Sequence, residues 1–390
     1  MRRITVELTI FLLLSMFIVT ISTESISING LSFLEEPVDF SHQFSKIKHQ
    51  ISDRLTNYEE KISKFYMDTT NNNIVSFVFS PEAIELEDDA FHGSNALHFT
   101  EWWYFDVVFS DGYSAQMSVR VLDVMNQGLF FVFSRLDIYK NGVLVSHKQE
   151  IYPIDDFYAS SEVPLVILDG KQVINGYIDE ETGDWIYDLS FEIDGTAAYL
   201  RFISSTKGWK GSVPGGEWGV ILPRAEVSGV ITLNYKDVFY VSGIGYHDHN
   251  WNITIHAAMN SGWFWGKINS NNFTITWANI MASWFSKQPL VVVNNVNGSY
   301  VNIEPENIQF VPKNFQIRNG MVIPTQFILN VDKGNVSIHV DIEVLGINHA
   351  KVMGVINYWR YHVRNTGLIT VDSQTEEIDE IHMAELVRFY

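Results

Sequence analysis

The sequence predicts an all-β chain built from two tandem antiparallel β units, preceded by an N-terminal amphipathic helix. Three observations carry this reading. From Val75 onward the apolar residues recur at steps of two, in segments such as Tyr104–Phe109, Ala115–Leu122, Leu129–Tyr139, Trp185–Ile193, Val227–Leu233, Phe273–Ala278, Gln326–Val331 and Val336–Val344. Tight-turn pairs separate them, among them Asp111-Gly112, Asn141-Gly142, Asp169-Gly170, Asp194-Gly195, Asn297-Gly298, Asn319-Gly320 and Lys333-Gly334. Short strands joined by hairpins give a sandwich or barrel and not a βαβ fold. The third observation is an internal echo. Glu101-Trp102-Trp103-Tyr104-Phe105, the turn Ser110-Asp111-Gly112 and the strand from Tyr113 match Gly262-Trp263-Phe264-Trp265-Gly266, the turn Ser270-Asn271-Asn272 and the strand from Phe273. A duplicated β unit is the simplest source of such a match.

Ahead of the strands, Phe40, Phe44, Ile47, Ile51, Leu55, Tyr58, Ile62 and Phe65 fall at steps of three and four. That spacing predicts one helical stripe, with Asp39 or Ser41 as N-cap and Asn71-Asn72-Asn73 as its stop. Met1-Arg2-Arg3 and the apolar run from Leu8 to Ile21 fit a secretory h-region or an uncleaved membrane anchor. Four acceptor sequons, at Asn252, Asn272, Asn297 and Asn335, agree with export, the protein being secreted or anchored on the outer face of the cell membrane. The Gly/Pro-rich stretch Gly211–Gly216 reads as a loop, and the boundary between the units falls near Pro223–Ser228. The resulting division is 1–27 signal or anchor, 28–74 helical segment, 75–226 first β unit, and 227–390 second β unit ending in a helix over Thr375–Val387.

Composition removes several functions. Against 26 basic residues stand 46 acidic ones, and the net charge of −20 argues against nucleic acid or anionic lipid as partner. The absence of cysteine removes disulfides, thiolate ligands and a cysteine nucleophile. No Gly-x-Ser-x-Gly elbow and no Walker-type glycine loop is present, so neither triad hydrolysis nor nucleotide binding is indicated and no cofactor is expected. With 11 Trp, 17 Tyr and 26 Phe, the chain has large apolar surfaces to bury.

The densest chemistry lies in Gly243-Ile244-Gly245-Tyr246-His247-Asp248-His249-Asn250-Trp251. On a strand, Tyr246, Asp248 and Asn250 share one face, and His247, His249 and Trp251 the other. Leaving such groups buried without partners costs about 1–3 kcal/mol each, so the run is not plain core. The His-x-His pair has a spacing that suits zinc, with His256 as a third ligand, but no cysteine or carboxylate motif completes the set, and partnership with neighbouring strands is the simpler use. In the first unit, alternation puts Trp102 with Tyr104 on one face, and Glu101 with Trp103 and Phe105 on the other. Glu101 needs a partner, such as Arg120 or Arg201, or a raised pKa. Glu217-Trp218, after the glycine loop, falls where the mouth between the halves is expected.

Together, Glu101-Trp102-Trp103-Tyr104-Phe105 and Tyr246-His247-Asp248-His249-Asn250-Trp251 resemble the hydroxyneurosporene synthase group. This is the carotenoid 1,2-hydratase and AttH-like superfamily, and the resemblance spans roughly residues 77 to 371. It implies two lipocalin-like (calycin) antiparallel barrels in tandem, with an apolar cavity between them for isoprenoid or polyketide-like ligands. It also implies an acid at Tyr-x-Asp that protonates a carbon–carbon double bond, which places the catalytic pair at Tyr246 and Asp248. Asn252 stands where the family has glycine. The candidate substrate-binding set is Glu101, Trp102, Tyr104, His247, His249, Asn250, Trp251, Trp263 and Trp265, with no metal. The expected activity is acid-catalysed hydration, cyclisation or isomerisation of an isoprenoid or similar lipid. Non-catalytic lipid carriage is the alternative.

Overall fold

The computed structural model describes residues 79–94, 99–123, 130–254, 262–281, 287–352 and 356–388. The expected export segment, the expected helical stripe and His256 lie outside the described residues. Twenty-two strands run through the rest: β1 Glu82–Ala83, β2 Phe99–Phe109, β3 Tyr113–Asp123, β4 Phe130–Lys140, β5 Val143–Tyr152, β6 Phe157–Ala159, β7 Leu165–Leu168, β8 Lys171–Ile178, β9 Trp185–Ile193, β10 Thr196–Ser204, β11 Trp209–Val213, β12 Gly216–Leu233, β13 Asp237–Thr254, β14 Gly262–Asn269, β15 Phe273–Met281, β16 Lys287–Asn295, β17 Tyr300–Ile303, β18 Ile308–Arg318, β19 Met321–Lys333, β20 Val336–Val352, β21 Ile356–Val371 and β22 Gln374–Arg388.

Two curled antiparallel sheets result, one nearly closed into a barrel and the other a half-barrel. The first runs β5-β4-β3-β2-β13-β12-β10-β9-β8-β7-β6, with β11 and β1 added beside β12. The second runs β17-β16-β15-β14-β22-β21-β20-β19-β18. Superposing the orders shows the duplication. β2 to β5 match β14 to β17, β13 matches β22, β12 matches β21, and β10-β9-β8 match β20-β19-β18. The echo of aromatic runs thus marks the first long strand of each repeat.

Three apolar clusters follow from side-chain alternation. On β2 the odd positions Trp103, Phe105, Val107 and Phe109 enter the core of the first barrel. Phe264, Trp277, Phe327, Trp359 and Tyr361 are among those that fill the second. The even positions of β2, joined by Trp209, Trp218, Tyr246 and Trp265, form a third cluster where the two sheets meet. Central strands such as β2 are buried on both faces, and each large apolar side chain so buried is worth about 1.5–3 kcal/mol.

Two expectations are corrected. The boundary near Pro223–Ser228 falls inside β12, which continues to Leu233 and pairs along its length with β13 in the first sheet. Pro223 has no N–H to give to the ladder, and the register shifts between Val220 and Ala225 instead of the chain leaving the sheet. The first repeat therefore ends with β13 and includes the Tyr246–Trp251 run. The second correction concerns Thr375–Val387, which is the strand β22 and not a helix. Its Glu-rich stretch has helix-forming residues, but pairing with β14 on one side and β21 on the other overrides that preference.

Candidate functional site

The Tyr246–Trp251 run lies on β13 between β2 and β12. A side chain at Gly245 would collide with Phe202 and Val227, so glycine there lets the strands close up just before the polar run begins. Alternation then sends Tyr246, Asp248 and Asn250 to the seam between the sheets. Asp248 is 7% exposed. Its Oδ2 accepts from the Tyr246 hydroxyl at 2.9 Å and from Trp218 Nε1 at 3.2 Å, and its Oδ1 accepts from Asn250 Nδ2 at 3.1 Å. The rings of Tyr104 and Trp265 stand 6.4 and 4.9 Å from that of Tyr246.

The second repeat supplies a matching half. Asp248 is opposite Tyr104, and Glu385 on β22 is opposite Trp265, the position that echoes Tyr104. Trp218 donates to Asp248, and Tyr358, at the corresponding place on β21, donates to Glu385 at 2.9 Å. Trp263 Nε1 donates to the other oxygen of Glu385 at 2.6 Å, and Arg360 pairs with Glu385 at 3.2 Å. Between the halves, Lys267 of β14 forms a fully buried ion pair with Asp106 of β2, whose second oxygen accepts from the Tyr104 hydroxyl at 2.9 Å. These two positions also correspond under the repeat. The seam is thus a pseudo-twofold arrangement in which equivalent positions carry different charges.

That asymmetry decides the chemistry. Burial raises the Asp248 carboxyl, and Glu385 and Asp106 push the same way. The hydrogen bonds from Tyr246 and Trp218 offset them only in part, and the pKa settles at about 7. Its counterpart Glu385 has the Arg360 cation beside it, which Asp248 lacks. Burial lowers the Lys267 ammonium, and Asp106 restores part of the loss. A carboxylic acid that keeps its proton to neutral pH, among indole and phenol rings able to face a cation, can donate a proton to a weakly basic carbon.

On the other face of β13 the expected ligand-binding residues do something else. His247 stacks on Phe105 with ring centres 3.7 Å apart, donates from Nδ1 to the Tyr104 carbonyl at 3.0 Å, and meets Asp89 at 2.9 Å. His249 lies between Asp89 at 3.1 Å and Glu101 at 3.0 Å. Glu101 is completely buried and takes the backbone N–H groups of His92 and Gly93, both at 2.9 Å, so neither Arg120 nor Arg201 is its partner. Arg201 pairs with Asp188, and Arg120 lies over the Trp102 ring. Trp251 stacks on His92 at 4.4 Å. Burial alone would lower His249, yet Asp89 and Glu101 raise it to about 9; burial would raise Asp89, yet the two histidines hold it at about 2. Glu101, His247, His249 and Trp251 therefore form a paired lattice inside the first barrel and do not share the seam with Asp248. The reason is the two-residue period of the strand. His92, Glu101 and His249 place ligand atoms within 4.8 Å of one another, a grouping able to hold a cation, but His249 is already committed as the charged partner of two carboxylates.

Of the remaining expectations, Trp102, Tyr104, Asn250, Trp263 and Trp265 all reach the seam, with Trp102, Trp263 and Asn250 half-buried at its edge. Trp218 bonds the acid directly, while Glu217 accepts from Ser212 on the other face. Sequence reasoning missed Asp106, Lys267, Arg360, Glu385 and Asp89. A lysine two positions after Trp265 on a buried strand was a usable signal; Glu385 was hidden by the helical reading of its strand. Packed rings of Tyr104, Trp218, Tyr246 and Trp265 stand where the cavity between the barrels is expected. Two described cavities lie elsewhere, one of about 430 Å³ lined by residues such as Asn314, Gln326 and His349, and one of about 300 Å³ lined by residues such as Phe91, Phe99 and Phe157.

Fold and seam together define a double lipocalin-like barrel with a buried carboxylic acid between its halves. Among solved structures, an AttH-type protein from Nitrosomonas europaea matches with a TM-score of 0.58 at 16% identity, over 79% of this chain and 98% of its own, and so has the same fold. CghA bound to Sch210972 gives a TM-score of 0.48 at 9% identity, over 75% of this chain and 89% of its own. Kievitone hydratase from Nectria haematococca gives 0.47 at 12% identity, over 80% and 98%. No family profile matches the sequence, and no curated protein matches it.

Proposed function

We propose that the chain is an enzyme that uses Asp248 as a general acid on an apolar, isoprenoid-like substrate, catalysing hydration, cyclisation or isomerisation at a carbon–carbon double bond. The observation that carries this reading is a carboxyl group with a pKa of about 7 enclosed by Trp218, Tyr246 and Trp265. In hydration the proton of Asp248 passes to one alkene carbon, and water oxygen bonds to the cationic neighbour. The spare proton of that water then returns to the Asp248 carboxylate. Tyr246 and Asn250 fix the carboxyl plane through their hydrogen bonds, and the rings of Trp265, Tyr104 and Trp263 face the developing charge. The substrate enters past the half-buried Trp102, Trp263 and Asn250, displacing ring contacts as it does so.

Export completes the reading: residues 1–27 direct the chain out of the cytosol or anchor it there, and the folded unit works outside. The test of catalysis is Asp248→Asn, assayed with isoprenoid alkenes. Turnover should fall at least about a thousandfold with ligand affinity nearly kept; unchanged turnover sinks the assignment. The hydrogen bonds that Asp248 accepts on both oxygens favour a second reading, a carrier whose buried network holds the seam together. Under that reading a bound lipid is recovered unaltered after long incubation, as mass spectrometry of the extract shows.

A further inference from the structure

Resting on that reading of the seam, we infer that the ligand is held by a carbonyl oxygen, taken by the Arg360 guanidinium and the Trp265 indole N–H, so that the substrate is an apolar ketone or enone. Arg360 is 1% exposed. Its Nη2 reaches the Tyr358 hydroxyl and Glu385, but its Nε and Nη1 have no hydrogen-bond partner. Trp265 is 4% exposed, and its Nε1 is likewise without a partner. Both side chains flank Tyr104, the guanidinium 5.2 Å from its ring centre and the indole 5.8 Å. A guanidinium has five N–H groups and no acceptor, and native structures rarely bury such donors unmet.

Two acceptors of the seam are already engaged, while Gln116 Oε1, opposite Asp106, is buried without a partner. Glu385 takes Trp263, Tyr358 and Arg360, and Asp106 takes Lys267 and Tyr104. We assign the missing acceptor to a bound molecule. Within the two ion pairs no charge is left over, since Lys267 balances Asp106 and Arg360 balances Glu385, and these pairs call for a neutral oxygen; Arg120, over Trp102 and facing Glu385, adds a cation at the edge of the seam. With an enone bound, the two donors also stabilise negative charge building on the carbonyl oxygen. The Asp248 proton then goes to the α-carbon, water oxygen bonds the β-carbon, and the water's spare proton returns to Asp248.

The experiment compares farnesylacetone with the hydrocarbon in which CH2 replaces its C=O, binding each to the full chain and following tryptophan quenching. Wild type should bind the ketone about tenfold or more tighter, as expected for one hydrogen bond from a charged donor. The ratio should shrink in Trp265→Phe, which keeps the ring, and approach one in the double variant Arg360→Met with Glu385→Gln, which removes both charges together. Should the double variant not fold, Trp265→Phe decides alone. Equal binding of both probes by wild type overturns the carbonyl anchor and leaves the apolar site standing. A ratio unchanged in the variants overturns the assignment to these residues, and no binding of either probe overturns the site along with the anchor.

Discussion

Replacing Asp248 by Asn gives a stability signature with a definite sign. In the folded chain the carboxyl titrates at about 7, against 3.8 when unperturbed. Well below pH 3.8 both folded and unfolded chains hold the proton, and the burial of this group carries no ionisation cost. As the pH rises from about 4 to 7, the unfolded chain releases its proton and the folded chain keeps it, so folding loses ~1.4 kcal/mol for each pH unit. The full cost, about 4 kcal/mol, is reached above pH 7. Asparagine is neutral throughout and can still accept from Tyr246 and Trp218. The half-buried Asn250 can turn its amide to meet the new NH2, so lost hydrogen bonding costs about 1 kcal/mol. Urea denaturation of wild type and variant at several pH values tests this. The variant should be slightly less stable near pH 4 and become the more stable by up to about 3 kcal/mol near pH 8, with the crossing between them. A difference that does not vary with pH, or one that moves in favour of wild type as the pH rises, refutes a neutral buried acid.

Other outcomes follow from the same geometry. Lys267→Met alone strands Asp106 and should cost about 3–5 kcal/mol, whereas Lys267→Met with Asp106→Asn should recover most of it, as a double-mutant cycle by denaturation shows. His249 at about 9 lies above its unfolded value of 6.5, so its contribution is complete below pH 6.5 and is lost as the pH rises through 9; NMR of its ring protons should titrate there, and His249→Gln should flatten that part of the stability profile. If Asp248 is the acid, the rate should be level below its pKa and fall above about 7, and a rate that instead rises through 7 contradicts that role. Of the sequons, Asn297 is exposed beside a hairpin turn, while the Asn272 and Asn335 amides are held by Glu376 at 2.5 Å and Asp372 at 2.7 Å; expressed through a secretory route, the chain should carry glycan at Asn297 and not at the half-buried Asn272, which peptide mapping resolves.

How much of this was legible in the residues depended on period and on pairing. The step-two pattern and the hairpin turns exposed the β architecture, and the aromatic echo exposed its duplication. The same period separated Asp248 from His249, since neighbours on a strand cannot share a face. It placed Tyr246, Asp248 and Asn250 on one face of their strand and Trp102 with Tyr104 on one face of theirs, while the meeting of the two faces comes from the pairing of β2 with β13. What stayed hidden needed long-range contacts. Nothing local to Lys267 announces Asp106, which lies 161 residues away and meets it only because equivalent strands of two repeats face each other. Glu385 sits among residues that favour helices when taken alone, and only its place between β14 and β21 makes it a strand residue. Pro223 punctuates a long strand without ending it, and so the first repeat keeps the polar run that sequence reading gave to the second.

The central claim is that one carboxyl at the seam keeps its proton in neutral solution, and infrared difference spectroscopy between wild type and Asp248→Asn reads that proton directly. The acid C=O stretch should be present near pH 5, fade with a midpoint near pH 7, and shift when a ligand enters the seam. A carboxylate signal already complete at pH 5 would contradict the account and leave the seam a structural joint between two barrels.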